Sequence, residues 1–311
     1  MSQEKPTVSL ITATYNRRAL LPRLAESLQA QTLTNFEWIV VDDGSTDGTA
    51  HYIGSLNDPR IKLLRQSNQG CNAARNLGEK EIRAEFVVFI DSDDELVSQD
   101  TLRIMVERIS NTSESIGVVA FSVLTPEGGG GESRLAENEI LVGYSELLCG
   151  NRVEGEFLRI FKRQALLGIP WASGYAGMEI LKYLAIAKKY KTLYVRELAL
   201  IYHMNHGDNL TSARQTILRA SSMIDGYEEL IKENKAGFRD ACPQALGLNL
   251  FHTAMYCAID GQSYRAFRHS LSSMKEKGPF INNLILIASL LLPLAPRQQL
   301  FIWRSKRKGR L

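Results

Sequence analysis

The feature that most constrains this chain is an alternation, over residues 1–95, of short β-branched apolar runs with segments of helical period. In order they read "TVSLITAT", "RRALLPRLAESLQAQ", "FEWIVVDD", "TDGTAHYIGSL", "IKLLRQ", "NAARNLGEKEI" and "FVVFIDSDD". Such alternation indicates βαβ units and a parallel sheet, with ligands gathering beyond the carboxyl ends of the strands. Three of those ends carry polar residues: Tyr15 and Asn16 after the first strand, Asp42 and Asp43 after the second, and Asp91 to Asp94 after the fourth. A common crevice for all three is the expectation.

The last of these ends is the most demanding. In "FVVFIDSDDEL" a run built like a buried strand finishes in Asp91, Asp93 and Asp94, which repel one another at neutral pH. An Asp-x-Asp at a strand end suits Mg²⁺ or Mn²⁺, which prefer oxygen ligands, take only one or two carboxylates and fill their other positions with water and phosphate oxygens. A phosphate-bearing substrate is the corollary. Two other readings fit the same residues. Asp93 or Asp94 would complement a helix starting near Val97, or the pair would be the nucleophile and acid of a haloacid-dehalogenase-type phosphatase, whose motif normally continues with Thr or Val rather than with Asp94 and Glu95.

The remainder of the chain sets outer limits. Its 311 residues allow one large α/β core with an appendage, and a formal charge of +3 gives no reason to expect nucleic acid as a partner. Cys71, Cys149, Cys242 and Cys257 form no ligand spacing, which argues against a zinc site and a secreted disulfide framework and for a reducing cytoplasm. The N-terminus has no apolar signal region. "EFLRIFKRQALLGI" reads as strand then helix, "GMEILKYLAIAKKYKTLYVRELALIYH" as a long helix then paired short strands, and "GGGG" as a surface loop; from Ser212 onward the pattern is helical. The expected organisation is a core over 1–210, with halves 1–95 and 96–210, and a helical extension over 211–311. That extension closes with "FINNLILIASLLLPLAP", too short and too Pro-broken to span a bilayer, followed by Trp303 and the basic Lys306, Arg307, Lys308 and Arg310. An apolar wedge beside basic charge is the composition of a segment lying on an anionic membrane surface.

"VSLITATYNR", "VVDDGSTDGT", "NQGCNAARNLG" and "FIDSDD", in this order and at this spacing, resemble the nucleotide-sugar-binding half of the family 2 glycosyltransferases, inverting enzymes of the GT-A fold. The resemblance is close from Thr7 to Asp94 and looser to Thr211. It implies that Tyr15, Asp43 and, beside it, Asp42 hold the nucleobase, that Arg75 supports that end of the donor, and that Asp91 and Asp93 hold the metal on the diphosphate. The side chains suit these tasks: an aromatic face for a flat base, a carboxylate for an imide N–H, a guanidinium fork for carboxylate or phosphate. Aligning "GMEILKYLAIAKKYK" with the family's Gly-Glu-Asp helix start places Met178 at the first acidic position and Glu179 at the second, where the family carries its base. "LIYHMNHGDNLT" places His206 near the metal and leaving diphosphate, with His203 as its competitor, and Trp171 is a candidate platform for an acceptor sugar. Ala13 and Ala84 depart from the family's usual Pro and Gly without removing a functional side chain.

The expected activity is therefore inverting transfer of a hexose from a UDP-sugar, with Mn²⁺ or Mg²⁺, to a saccharide acceptor on a lipid carrier in bacterial surface-polysaccharide assembly. The expected location is the inner face of the cell membrane, reached from the cytoplasm. Two competing classes remain: a metal-dependent phosphohydrolase using Asp91 and Asp93, and a non-catalytic nucleotide-sugar-binding protein in which Met178 marks a lost base.

Overall fold

The structure is a computed structural model that describes residues 5–126, 133–150, 153–175, 177–203 and 213–307, with the backbone alone for 213–215 and 303–307. The GGGG run and His206 lie outside the described residues. The chain divides into two compact units: one comprises residues 1–147, 152–174 and 179–204, the other 148–151, 175–178 and 205–311.

The first unit opens with the alternation read from sequence: β1 (Val8–Thr14), α1 (Leu21–Gln29), β2 (Phe36–Asp42), α2 (Thr49–Ser55), β3 (Ile61–Arg65), α3 (Cys71–Glu79) and β4 (Phe86–Phe89). These four strands are parallel in the order β3-β2-β1-β4. Then follow β5 (Glu95–Leu96), α4 (Thr101–Ser110), β6 (Ile116–Leu124), β7 (Arg134–Leu135), β8 (Glu139–Val142), α5 (Tyr144–Cys149), β9 (Val153–Glu154), β10 (Phe157–Lys162), α6 (Arg163–Leu166), α7 (Ile180–Ala187) and β11 (Lys191–Ile201). β10 is antiparallel to both β4 and β6, so the sheet is parallel only over its first four strands and mixed beyond them. The expected long helix and paired strands are instead the eight-residue α7 and the single eleven-residue strand β11, which is bulged near Val195 and pairs with β6, β8 and β5.

Alternating residues of the central strands feed two cores. Val8, Leu10, Trp38 and Val40 meet Leu21 and Leu24 of α1 and Leu102 and Met105 of α4 on one face, while Ile11, Ile39 and Val41 meet Ala74 of α3 and Ile186 of α7 on the other. Burial on both faces is what a near-continuous apolar strand demands. Helix α3 comes unusually close: a Cβ at Gly78 would lie 2.8 Å from Ile11 Cγ2, so glycine there lets the helix seat directly on β1. Since α4 starts at Thr101, Asp93 and Asp94 do not cap it, and the helix-cap reading of the acidic loop falls away.

The second unit is helical: α8 (Ala213–Leu218), α9 (Ala220–Ala241), α10 (Pro243–Ile259), α11 (Ser263–Lys275), α12 (Phe280–Ser289) and α13 (Leu294–Arg307). Met178 belongs to it and is buried against α9, where a Cβ on Gly226 would meet its Cγ at 2.7 Å. This packing suits an apolar residue at a position where the resemblance implies an acid. The cysteine expectation fails at one pair: Cys149 and Cys242, 93 residues apart, form a disulfide, so cysteine usage no longer argues for a reducing compartment. Cys71 and Cys257 are free. Among the described residues no helix is long and apolar enough to cross a membrane.

Candidate active site

The carboxyl ends of β1, β2 and β4 lie side by side, because register pairs Thr14 with Asp42 and Ile11 with Phe89. The loop after β1 is zipped to the loop after β2. Asn16, in the left-handed region at φ 52°, donates its N–H to Ser45 Oγ at 2.9 Å and accepts from the Thr46 N–H at 2.9 Å. Arg17 N–H reaches Thr49 Oγ1 at 3.0 Å and Arg18 N–H reaches Asp47 at 3.0 Å. Tyr15 is 45% exposed at this zipped corner.

The adjacent carboxylates divide the work. Asp42 is fully buried, with Oδ1 accepting from the Ser45 N–H and Oδ2 from Arg65 Nε, both at 3.0 Å. It builds the turn. Asp43 accepts from Gln66 Nε2 at 2.7 Å and from the backbone N–H groups of Gln69 and Gly70 at 2.8 Å, which fixes the approach to α3 and leaves part of its acceptor capacity open.

Helix α3 carries a polar stripe at Asn72, Arg75, Asn76 and Glu79, one helical face by spacing. Asn72 Nδ2 donates to Ala172 O at 2.9 Å; Asn76 donates to Trp171 O at 2.9 Å and accepts from the Trp171 N–H at 2.7 Å. Glu79 pairs with the buried Lys182 of α7, whose ammonium also donates to Ile169 O at 2.7 Å. Burial pulls the Lys182 pKa down, against Glu79, and pushes the Glu79 pKa up, against Lys182. A buried ion pair adds little net stability but is costly to break from one side. Here it locks the start of α7 to α3. None of these anchors was singled out from sequence, although their helical spacing is readable in "CNAARNLGE" once the helix is known.

Arg75 is the hub. Its Nη2 donates to Asp91 Oδ1 at 2.9 Å and its Nη1 lies 3.4 Å from Glu179 Oε1 and 3.3 Å from Asn72 Oδ1. The guanidinium stacks on Trp171, 4.8 Å from the ring centroid. Burial works against its charge, but Asp91, and further down Glu179, hold the Arg75 pKa above its ordinary value. The resemblance implies a place for Arg75 at the nucleobase end of a donor; in the structure it lies between the acidic loop and the start of α7. Glu179 stands immediately before α7. Trp171 is only 2% exposed, its indole in contact with Arg75, Lys182, Phe89 and Tyr183. It forms the floor under Arg75 and has no face open to a sugar, contrary to the acceptor-platform expectation.

The repulsion within "DSDD" is relieved in two ways. Asp91 is half exposed and paired with Arg75. Asp94 turns inward, accepts from the His203 N–H at 3.3 Å, and is held well above the usual carboxylate range by burial and then by Asp91 and Asp93. His203 Nε2 contacts Glu95 at 3.0 Å, so this histidine ties the end of β11 to the acidic loop. Among the described residues no three His, Cys, Asp or Glu side chains gather as a metal-ligand cluster. Mn²⁺ or Mg²⁺ usually takes only one or two carboxylates when phosphate oxygens complete the shell, and Asp91 and the partly exposed Asp93 are the side chains of this loop that could serve one.

The parallel half of the sheet thus ends in an acidic loop that Glu179 faces across Arg75. The family model for glycosyl transferase family 2 matches residues 9–169, and the chain belongs to that family. It is similar, at 28% identity over 90% of this chain and 93% of the other, to the GalNAc(5)-diNAcBac-PP-undecaprenol beta-1,3-glucosyltransferase of Campylobacter jejuni subsp. jejuni serotype O:2. Two solved structures share its fold: S. aureus TarS 1-349 in complex with UDP-GlcNAc, with TM-score 0.59, 20% identity and 91% of each chain covered, and the mannosyltransferase PcManGT of Pyrobaculum calidifontis with GDP-Man and Mn2+, with TM-score 0.58, 19% identity, 99% of this chain and 88% of that one covered. The GT-A-type core with C-terminal helices is thereby borne out, and the phosphohydrolase reading gives way to glycosyl transfer.

Proposed function

We propose that this glycosyltransferase is inverting and metal-dependent, moving a hexosyl group from a UDP-sugar to a saccharide on a lipid carrier. The observation that carries the reading is Arg75, which holds Asp91 and Glu179 on one guanidinium. In this scheme Tyr15 stacks on the uracil and Asp43 accepts from its imide N–H, while Asp42 supports the turn beneath. Asp91 and Asp93 would hold Mn²⁺ or Mg²⁺, which supplies charge neutralisation at the leaving diphosphate; the third expected ligand, His206, lies outside the described residues. Glu179 takes the proton of the acceptor hydroxyl as its oxygen attacks the anomeric carbon from the face opposite the leaving UDP, and the bond from that carbon to the diphosphate oxygen breaks. Arg75 keeps Glu179 positioned between steps.

The lipid-carried acceptor is supported by the name of the Campylobacter relative, which includes a polyprenyl diphosphate, and by the basic, apolar C-terminus. A charged nucleotide sugar does not cross a bilayer unaided, which favours the cytoplasmic side of the membrane as the working location. The test is transfer itself. With Mn²⁺, a panel of radiolabelled UDP-sugars and a detergent extract of bacterial membrane lipids, label should enter the organic-soluble fraction with one donor. Label confined to water-soluble products would remove the lipid-linked acceptor, and no transfer from any donor that binds would favour a non-catalytic sugar-nucleotide-binding protein.

A further inference from the structure

Helix α12 is apolar on two sides: Leu286 and Leu290 pack inward on the cluster of Ile224, Cys257, Ala258 and Ala266, and its outer face is apolar as well. Its most buried position is a polar one: Asn283 is 0% exposed and donates to Ser273 Oγ at 2.9 Å and Pro279 O at 3.0 Å. Ser273 in turn donates to Gly247 O at 2.6 Å, so α10, α11 and α12 are knitted by hydrogen bonds on the inside. The outward stripe is apolar throughout: Ile281, Leu284, Ile285 and Ala288, at helical spacing, with Ile281 71% and Leu284 47% exposed. Phe280 at the head of the helix is 61% exposed and Leu291 beyond its end 90%. Helix α11, which packs against α12, adds Tyr264, Phe267 and Leu271 to the exposed apolar surface. Monomeric soluble proteins rarely leave such a patch open.

The charge around this patch identifies its partner. Without the tail after Trp303, residues 261–303 hold five Lys and Arg and one acid, Glu276, a formal +4 against +3 for the whole chain. Glu276 is itself taken by Arg239. On α11, Arg268 and Lys275 flank the apolar residues by helical position, and Lys277 follows the helix; none of the three pairs with a carboxylate among the described residues. An apolar face fringed by unpaired cations, on helices too short to span, matches the acyl boundary and phosphate headgroups of an anionic bilayer. A second copy of the chain would bring the same excess of positive charge to the interface.

We infer that the α11–α12 face, rather than the basic tail after Trp303, is the membrane contact: Phe280, Ile281, Leu284 and Ile285 enter the acyl boundary, and Arg268, Lys275 and Lys277 meet lipid phosphates. This deepens the proposed action on a lipid-carried acceptor and rests on that reading, but its test does not depend on transfer. Full-length protein is cosedimented with phosphatidylcholine vesicles with and without phosphatidylglycerol. Three variants are compared: a face variant (Ile281→Ser, Leu284→Ser, Ile285→Ser), a rim variant (Arg268→Gln, Lys275→Gln, Lys277→Gln) and a tail variant (Lys306→Gln, Arg307→Gln, Lys308→Gln, Arg310→Gln).

The wild type should bind the anionic vesicles. The face variant should bind at least ~10-fold more weakly at any salt, and the rim variant should lose most of the salt-sensitive share. The tail variant should keep most of its binding. All three substitute side chains outside the donor site, so UDP affinity should be unchanged, and an unchanged helical circular-dichroism melt reports an intact helical unit. Wild-type-like binding by the face variant, or loss confined to the tail variant, overturns the inference. So does a wild type that ignores vesicles but forms a dimer that the face variant abolishes, which would give the face to a second copy. If face-dependent vesicle binding stands while no nucleotide binds, the donor reading fails and this one survives.

Discussion

Replacing Glu179 by Gln should lower sugar transfer by about 10²–10⁴-fold, the range lost with a general base, while UDP affinity stays within about twofold of wild type. The side chain is isosteric, so its contact with Arg75 at 3.4 Å can be retained by the amide oxygen, and the neutral group leaves the fold undisturbed. What disappears is the ability to accept the acceptor's proton. A kcat that falls while the donor KM holds marks an interaction realised in the transition state. Full activity in this variant would clear Glu179 of the role. Joint loss of donor binding and turnover would make it a structural partner of Arg75, and the base would have to be sought elsewhere.

The second large effect is expected at Asp93. Changing it to Asn should remove the Mn²⁺-dependent share of UDP affinity by more than about tenfold, since even outer-sphere changes cost 10–100-fold in metal affinity. Stability should hold or rise, because the substitution deletes a like charge next to the buried Asp94, whose carboxyl Asp91 and Asp93 both disfavour as an anion. Asp91→Asn is the less clean experiment: it also breaks the 2.9 Å pairing with Arg75 and so disturbs the hub shared with Glu179. Calorimetry of Asp93→Asn with UDP, with and without Mn²⁺, is the check. An unchanged cation increment would take Asp93 out of the metal site.

What sequence could reveal followed from periodicity and from the ends of strands. The four parallel strands, their crossover helices and the polar residues at the ends of β1, β2 and β4 were legible because a two-sided core forces near-continuous apolar runs, and each stops where solvent begins. The antiparallel insertion of β10 between β4 and β6 was not, since pairing order over such separations leaves no local trace. Nor was the eleven-residue β11, whose register shifts near Val195 read as a break between two short strands. Within the site, residue types were better guides than positions. Arg75 and Asp91 were named, but only the geometry shows that α3 aims Arg75 at the acidic loop and Glu179. Trp171 illustrates the opposite error: an aromatic beside polar residues suggested a sugar platform, whereas the buried indole carries the guanidinium. The Cys149–Cys242 pair, 93 residues apart, could not be read from spacing.

The proposed activity rests most on the crevice at the ends of β1, β2 and β4 taking a uridine diphosphate with a divalent cation. Isothermal titration of the wild-type protein with UDP, GDP and dTDP, each with and without Mn²⁺, measures this directly. UDP should bind with Mn²⁺, and removing the cation should weaken it by more than about tenfold, with GDP and dTDP weaker throughout. Binding of UDP indifferent to the cation, or no nucleoside diphosphate bound with Mn²⁺ present, would contradict it.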